Sequence, residues 1–448
     1  MNKVETFVRN PLFIIVVVGV AIRLILMPTL QQGYDSDYWA VIIRNLESGA
    51  GLYKVDGYYY SPVWGYFLGV FSLLMENLSN VEIMGARIFD LLFVETYVGA
   101  PFTATLTTPI FNFIVKIPFL ISDLIVGYLI YWMVRDKTQN IRKATIGFAL
   151  WFLCPAVIIV TSVSGMFDTF SVLFILLCFI AIRKGQSFLG GALFTIAVMT
   201  KFFPIYLIFI LAMYILKKHR EDGDAFKHMV CAVLGAALML LIIILPQILE
   251  GNLSESFSFI TNRAASGGGG EATILDMLRS RGAIFIYGIS IVVAAVLALM
   301  LYRSKKEELD NDLFKYSLII TAFIFLYPPL PQYVVLLIAF LVCYMSISNL
   351  KLKLSWLLLS IGSAGFVLGG NFTLLMSLAS FTDIISLEYV SSMVMAMQEP
   401  IFLAFNTTDI LYGVFAVIQS VGIVLILRAF IQDRLRQRSS KIVADHSD

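Results

Sequence analysis

A chain of 448 residues with 59% apolar and only 14% charged side chains cannot keep a soluble surface wet, and its mean hydropathy of +0.87 points the same way. A net charge of +2, with no basic stripe interleaved with aromatics, excludes nucleic acid as a partner class. What remains is an all-α polytopic membrane protein.

The first apolar run, residues 11–29, is long enough to cross a bilayer and lacks the small-residue cleavage site of a signal peptide. Residues 30–111 follow as a long first external loop. Within it "YDSDYWAVIIRNLESGAG" reads as a short helix with Asp35, Ser36 and Asp37 at its start and Gly49 near its end. Residues 61–76 read as a re-entrant or interfacial segment, with Tyr58, Tyr59 and Tyr60 as an aromatic belt at headgroup level. Further crossings are expected over 112–134, 143–161, 168–183, 188–201, 203–216, 229–249, 283–302, 315–327, 332–348, 354–374 and 409–429. Together they make about twelve transmembrane helices in one membrane-embedded domain, 1–448.

Placing the basic clusters inside puts most of the 32 Lys and Arg residues in cytoplasmic segments, with both termini cytoplasmic. Residues 431–448 become a cytoplasmic tail, and 250–282, with glycines 267–270, a flexible external loop. The two short stretches joined at "TKFFP" read as short helices meeting a water-filled cavity, with Lys201 and Pro204 at the joint. Cys154, Cys178, Cys231 and Cys343 all lie in apolar runs and read as small core residues. Two histidines beside a basic loop and one at the C-terminus give no metal site.

Charges inside spans are functional candidates by default. Lys116 and Asp123 lie seven apart on one helix face and are expected to share a polar network, while Arg23 is expected to snorkel. Asp35 and Asp37 read either as helix caps or as a pair of carboxylates for chemistry at the membrane surface.

Four segments in order resemble the multi-spanning GT-C glycosyltransferases, which use polyprenyl-phosphate sugars. They are "DSDYW…NLESGAGLYKVDGYYYSPVWGYFLG", "KIPFLISDLIVGYLIYWMVR", "WFLCPAVIIVTSVSGMFDTFSVLFILLCFIAIRK" and "GGALFTIAVMTKFFPIYLIFIL". The nearest likeness is to the first-mannose glycosylphosphatidylinositol mannosyltransferases and their prokaryotic relatives. The resemblance implies a GT-C-like fold and an inverting mannosyltransferase working on the non-cytoplasmic face. The donor would be a polyprenyl- or dolichyl-phosphate sugar, and the acceptor a glycolipid, glycan or protein.

On this reading Asp35 is the base and Asp37 orients the acceptor. Lys201 and Arg263 neutralise the departing lipid phosphate. Asp168, Gln332, Tyr333, Tyr60 and Lys116 contact substrate. No tightly bound cofactor or metal is expected, although a divalent cation is left open. The rival readings are a secondary transporter and a lipid-linked oligosaccharide flippase or polymerase. The sequons at Asn77, Asn252, Asn371 and Asn406 fall at or beyond external span ends. The expected location is a prokaryotic cytoplasmic membrane, with the endoplasmic reticulum as alternative and a luminal site in that case.

Overall fold

Each apolar run folds into a helix whose ends are set by capping residues, prolines and glycines. The computed structural model describes residues 10–32, 36–49, 51–54, 58, 60–78, 82–83, 86–87, 93–97, 103–257, 274–326, 330–348, 350–370, 372–382, 384–402 and 405–445. Helix α1 (Pro11–Thr29) starts on Asn10, whose side chain accepts from the Leu12 amide at 3.0 Å, with Pro11 in the first turn. Only Gly19, Arg23 and Met27 of α1 are buried, one stripe at a spacing of four; Leu12, Ile15, Val16 and Val20 pack partly against the core, while Ile14, Val17, Val18, Ile22, Leu24 and Ile25 are exposed on the lipid side.

Helix α2 (Ser36–Glu47) ends at Gly49, whose φ of 80° is left-handed. Helix α3 (Pro62–Leu78) buries Val63, Trp64, Leu68 and Phe71 and exposes Val70, Leu73 and Leu74. Two antiparallel hairpins follow, β1–β2 (Glu82–Ile83, Ala86–Arg87) and β3–β4 (Phe93–Tyr97, Thr103–Thr107). Hairpins were not expected in a loop read as short interfacial helices; "TATLT" does carry the two-residue alternation of a strand.

The bundle continues through α4 (Pro109–Thr138), α5 (Ile141–Phe152) and α6 (Pro155–Ile158), which runs on as a π-helical turn over Ile159–Val163. Then come α7 (Asp168–Arg183), α8 (Ser187–Thr200), a 3-10 turn over Phe203–Leu207, α9 (Ile208–Lys218) and α10 (Ala225–Glu250). The C-terminal half adds α11 (Ile274–Tyr302), α12 (Leu309–Ile324), α13 (Val334–Ile347) and α14 (Lys353–Gly370). It closes with α15 (Met376–Phe381), α16 (Leu387–Gln398), the hairpin β5–β6 (Pro400–Phe402, Phe405–Asn406) and α17 (Thr407–Asp445).

Helix α13 is apolar all round and buried almost throughout, enclosed by α4, α5, α7, α12 and α14. It is the axis of the fold. Helix α10 is the opposite case, burying only Ala232, Gly235, Ile243 and Gln247. Its exposed Val233, Leu234, Leu238, Leu241, Ile242, Leu245 and Leu249 form a broad apolar face suited to lipid tails.

The chain is an all-α membrane protein apart from its short hairpins, and of the expected twelve crossings the described residues support five to seven. Among the described residues five helices are long and apolar enough to span: Pro11–Thr29, Pro109–Thr138, Ala225–Glu250, Phe285–Tyr302 and Thr407–Leu435. Two bent pairs, Ile141–Phe152 with Pro155–Val163 and Lys353–Gly369 with Thr373–Ala379, raise the number to seven at most. The other apolar runs do become helices, but α8 and α13 have 14 residues each and α9 has 11. At 1.5 Å per residue, 14 residues reach about 21 Å, short of the roughly 30 Å hydrocarbon core. Helix α11 begins inside 250–282, and α17 continues as helix through 431–445 of the expected tail. Residues 258–273, with glycines 267–270, lie outside the described residues.

Helices α8 and α10 pack backbone against backbone. A Cβ on Gly191 would stand 1.9 Å from the Ala232 carbonyl oxygen, and one on Gly235 2.0 Å from that of Phe188. Thr195 then donates across the pair to Ala236 at 3.2 Å. Gly191→Ala is therefore expected to lower stability by about 1–3 kcal/mol, the range for overpacking. Gly288→Ala, in open space on α11, should cost nothing. Thermal melts in one detergent compare the two.

Candidate functional site

The site begins at a left-handed turn. Gly165 has φ 69° and carries the chain from the π-helical turn into α7, so Asp168 opens that helix. A Cβ there would meet Lys116 at 3.3 Å and Ser36 at 3.6 Å, and the Gly165 carbonyl accepts from Trp39 Nε1 at 3.2 Å. The start of α2, Lys116 and the approach to Asp168 thus share one wall.

Across from Asp168, α8 ends at Lys201. Its φ of −144° and ψ of 132° are extended, and Pro204 is the second residue of the following 3-10 turn. The broken helix pair expected at "TKFFP" is present. Lys201 Nζ stands 3.2 Å from Asp168 Oδ2, with both side chains buried. Asp168 does not serve as a helix cap: it occupies the first turn of α7, where the helix dipole favours its charge.

Aromatic rings enclose the ammonium. Lys201 Nζ lies 4.2 Å from the centroid of Phe167, 5.2 Å from Tyr333 and 5.3 Å from Tyr60. Behind them Trp64 stacks on Phe167 at 4.8 Å, Trp39 packs against Tyr60 and Trp64, and Phe203 touches Tyr333 at 4.7 Å. Asp168, Ser171, Lys201, Phe203, Pro204, Tyr333 and Leu336 line a small recess. Ser171 donates to the Ala197 carbonyl at 2.9 Å and fixes α7 against α8 beneath it.

The structure brings Asp168, Lys201, Tyr60 and Tyr333 together. Gln332 sits beside them, half-buried in the 3-10 turn Pro331–Tyr333. The expectation of an interfacial tyrosine belt fails: Tyr58 and Tyr60 are buried. Tyr58 donates to the Ser61 carbonyl at 2.9 Å, with burial pushing its phenol well above the ordinary value, and Tyr53 donates to that of Tyr60 at 2.8 Å. Phe167, Trp39, Trp64 and Phe203 were not read from the sequence as site residues. Phe167 and Phe203 each adjoin a polar candidate, in "GMFD" and "TKFFP", which is the signal they offered.

Lys116 and Asp123 do not share a network. Lys116 donates to the Met27 and Leu30 carbonyls at 3.1 and 2.7 Å, binding the C-terminal end of α1. Asp123 takes Arg23, which does not snorkel: Arg23 is fully buried, with Nη2 and Nε 3.0 and 3.1 Å from Asp123 Oδ2 and Nη1 donating to the Phe152 carbonyl at 2.8 Å. Asp35 and Arg263 lie outside the described residues, as does the side chain of Asp37.

Residues 46–265 match a family described as GPI transamidase subunit PIG-U. No curated protein matches the chain. The matched stretch holds Tyr60, Lys116, Asp168, Lys201 and Arg263 and begins after Asp35 and Asp37. The resemblance therefore holds at the level of a membrane family of the glycosylphosphatidylinositol pathway. The expectation of a glycosyltransferase is overturned, because the matched family is described as a transamidase subunit and not as a sugar-transfer enzyme. The polyprenyl-phosphate sugar donor loses its support with it.

Proposed function

We propose that this chain is a non-catalytic, multi-pass subunit of a membrane assembly that handles glycosylphosphatidylinositol, and that it holds the glycolipid headgroup for a partner subunit. The observation that carries the proposal is the Asp168–Lys201 pair, buried among aromatic rings at a helix break. The likeness of residues 46–265 to a transamidase subunit supports the same pathway. A buried ion pair adds little net stability over a well-packed apolar pair, so stability alone does not account for one at this position. Its chemistry suits a glycolipid. Rings stack on the apolar faces of sugars, a carboxylate accepts from hydroxyls, and an ammonium meets the phosphate as a point charge. Exposed lipid-facing helices beside the recess let an anchored ligand enter without leaving the bilayer.

Native mass spectrometry of the chain released from nanodiscs tests this. Nanodiscs doped equally with a synthetic glycosylphosphatidylinositol and with bare phosphatidylinositol are expected to leave the glycan-bearing lipid bound in preference. Equal retention of both, or of neither, would contradict the reading.

A further inference from the structure

At the other end of α9 from the recess, the turn joining α9 to α10 gathers three metal-ligating side chains. His219 caps the C-terminal end of α9, Asp224 stands at the N-cap of α10, and His228 is one turn into it. One ligand atom from each lies within 4.8 Å of the others. Asp224 is well placed to cap α10, yet its side chain makes no capping hydrogen bond. Its two oxygens go instead to the histidines, Oδ1 at 3.4 Å from His219 Nδ1 and Oδ2 at 3.1 Å from His228 Nε2.

A neutral imidazole N–H on each ring can fill these two contacts, and so can one cation shared by the three side chains. The two rings lie face to face with centroids 3.5 Å apart and planes at 9°, so both imidazoles and the carboxylate are gathered at one point before any ion binds. A second feature points to a ligand. His219 is 8% exposed, and its Nε2 is buried with no hydrogen-bond partner. Ser187 Oγ, 2.9 Å from His228 Nδ1, can accept that ring's proton and leave Nε2 free to bind, as outer-shell partners do in metal sites. Gly185, at φ 76°, brings the α7–α8 loop over the His219 ring.

We propose that His219, Asp224 and His228 bind a divalent transition-metal ion of the zinc class, with water completing the shell. Two imidazoles and one carboxylate form a borderline donor set that suits zinc and disfavours magnesium or calcium. Parallel rings cannot both aim in-plane lone pairs at one ion, so binding splays them by rotation about their side-chain torsions. The ion then staples α9 to α10 at their turn. This site is independent of the glycolipid reading, and its readout is metal alone.

The test uses the full chain in detergent, purified on a histidine-free tag, stripped with chelator and titrated with Zn2+. One equivalent is expected to bind. His219→Gln and His228→Gln should each weaken binding by more than about 100-fold, and Ser187→Ala by about 10–100-fold, the range for an outer-shell partner. X-ray absorption on the wild-type zinc complex should count two imidazoles at about 2.0–2.1 Å, which decides the matter even if a variant fails to fold. Absence of stoichiometric binding, fewer than two imidazoles, or unchanged affinity in both glutamine variants overturns the proposal.

Discussion

Asp168→Asn is expected to lower the stability of the chain by about 3–5 kcal/mol, while Asp168→Asn combined with Lys201→Met recovers most of that loss. The single change leaves Lys201 buried without its carboxylate, and uncompensated buried charge is what makes breaking such pairs expensive. The Phe167 ring 4.2 Å away offsets about 0.5–2 kcal/mol of this, so the lower end of the range is the better expectation. The double change replaces the pair by groups that need no charge partner, and methionine fits among the rings of Phe167, Tyr333 and Tyr60. Denaturation in a fixed detergent, followed by circular dichroism, measures both steps. Equal losses in the single and double variants would mean that the pair acts through shape and not charge.

Arg23→Met should cost as much, about 3–5 kcal/mol, for a different structural reason. Arg23 joins α1 to α4 through Asp123 and to α5 through the Phe152 carbonyl, and its guanidinium lies 4.2 Å from the Phe152 ring. Without it Asp123 keeps only the Thr161 hydroxyl, at 2.8 Å, as a hydrogen-bond donor to Oδ2 among the described residues. The N-terminal helix then loses the one charged member of its buried stripe. Arg23→Met with Asp123→Leu is expected to regain stability and to leave lipid binding as in the wild type. A pair that only holds helices together can be exchanged without loss of lipid binding, whereas exchanging one that holds the ligand abolishes it. A double variant no more stable than Arg23→Met alone would contradict this account.

Hydropathy made the helices legible because bilayer burial is written locally, residue by residue. Bounds such as Pro11–Thr29 follow from an apolar run between Asn10 and the polar residues that follow Pro28. It could not separate a helix that faces lipid from one enclosed by protein. Helix α13 is as apolar as any spanning helix because protein surrounds it, not lipid. The pairings were not legible either. Arg23 and Asp123 are 100 residues apart, and the sequence places Asp123 closer to Lys116 on its own helix. Asp168 and Lys201 were each visible as candidates, one at a helix start and one at a helix break. Nothing local brings those two ends face to face. The tyrosines looked interfacial because aromatic runs near a membrane usually are; Trp39 and Trp64 draw them inward instead. The likeness to sugar-transfer enzymes agrees with the matched family in pathway and differs from it in role, and the acidic pair it leaned on lies outside the matched stretch.

The most direct test is a titration of nanodisc-embedded protein with a fluorescent glycosylphosphatidylinositol. It should compare wild type with two stable double variants, Asp168→Asn/Lys201→Met and Arg23→Met/Asp123→Leu. The account predicts saturable binding by the wild type and the Arg23/Asp123 variant and at least about a tenfold loss, 1.4 kcal/mol, in the Asp168/Lys201 variant. Equal affinity in all three would show that the aromatic recess is not where the lipid headgroup sits.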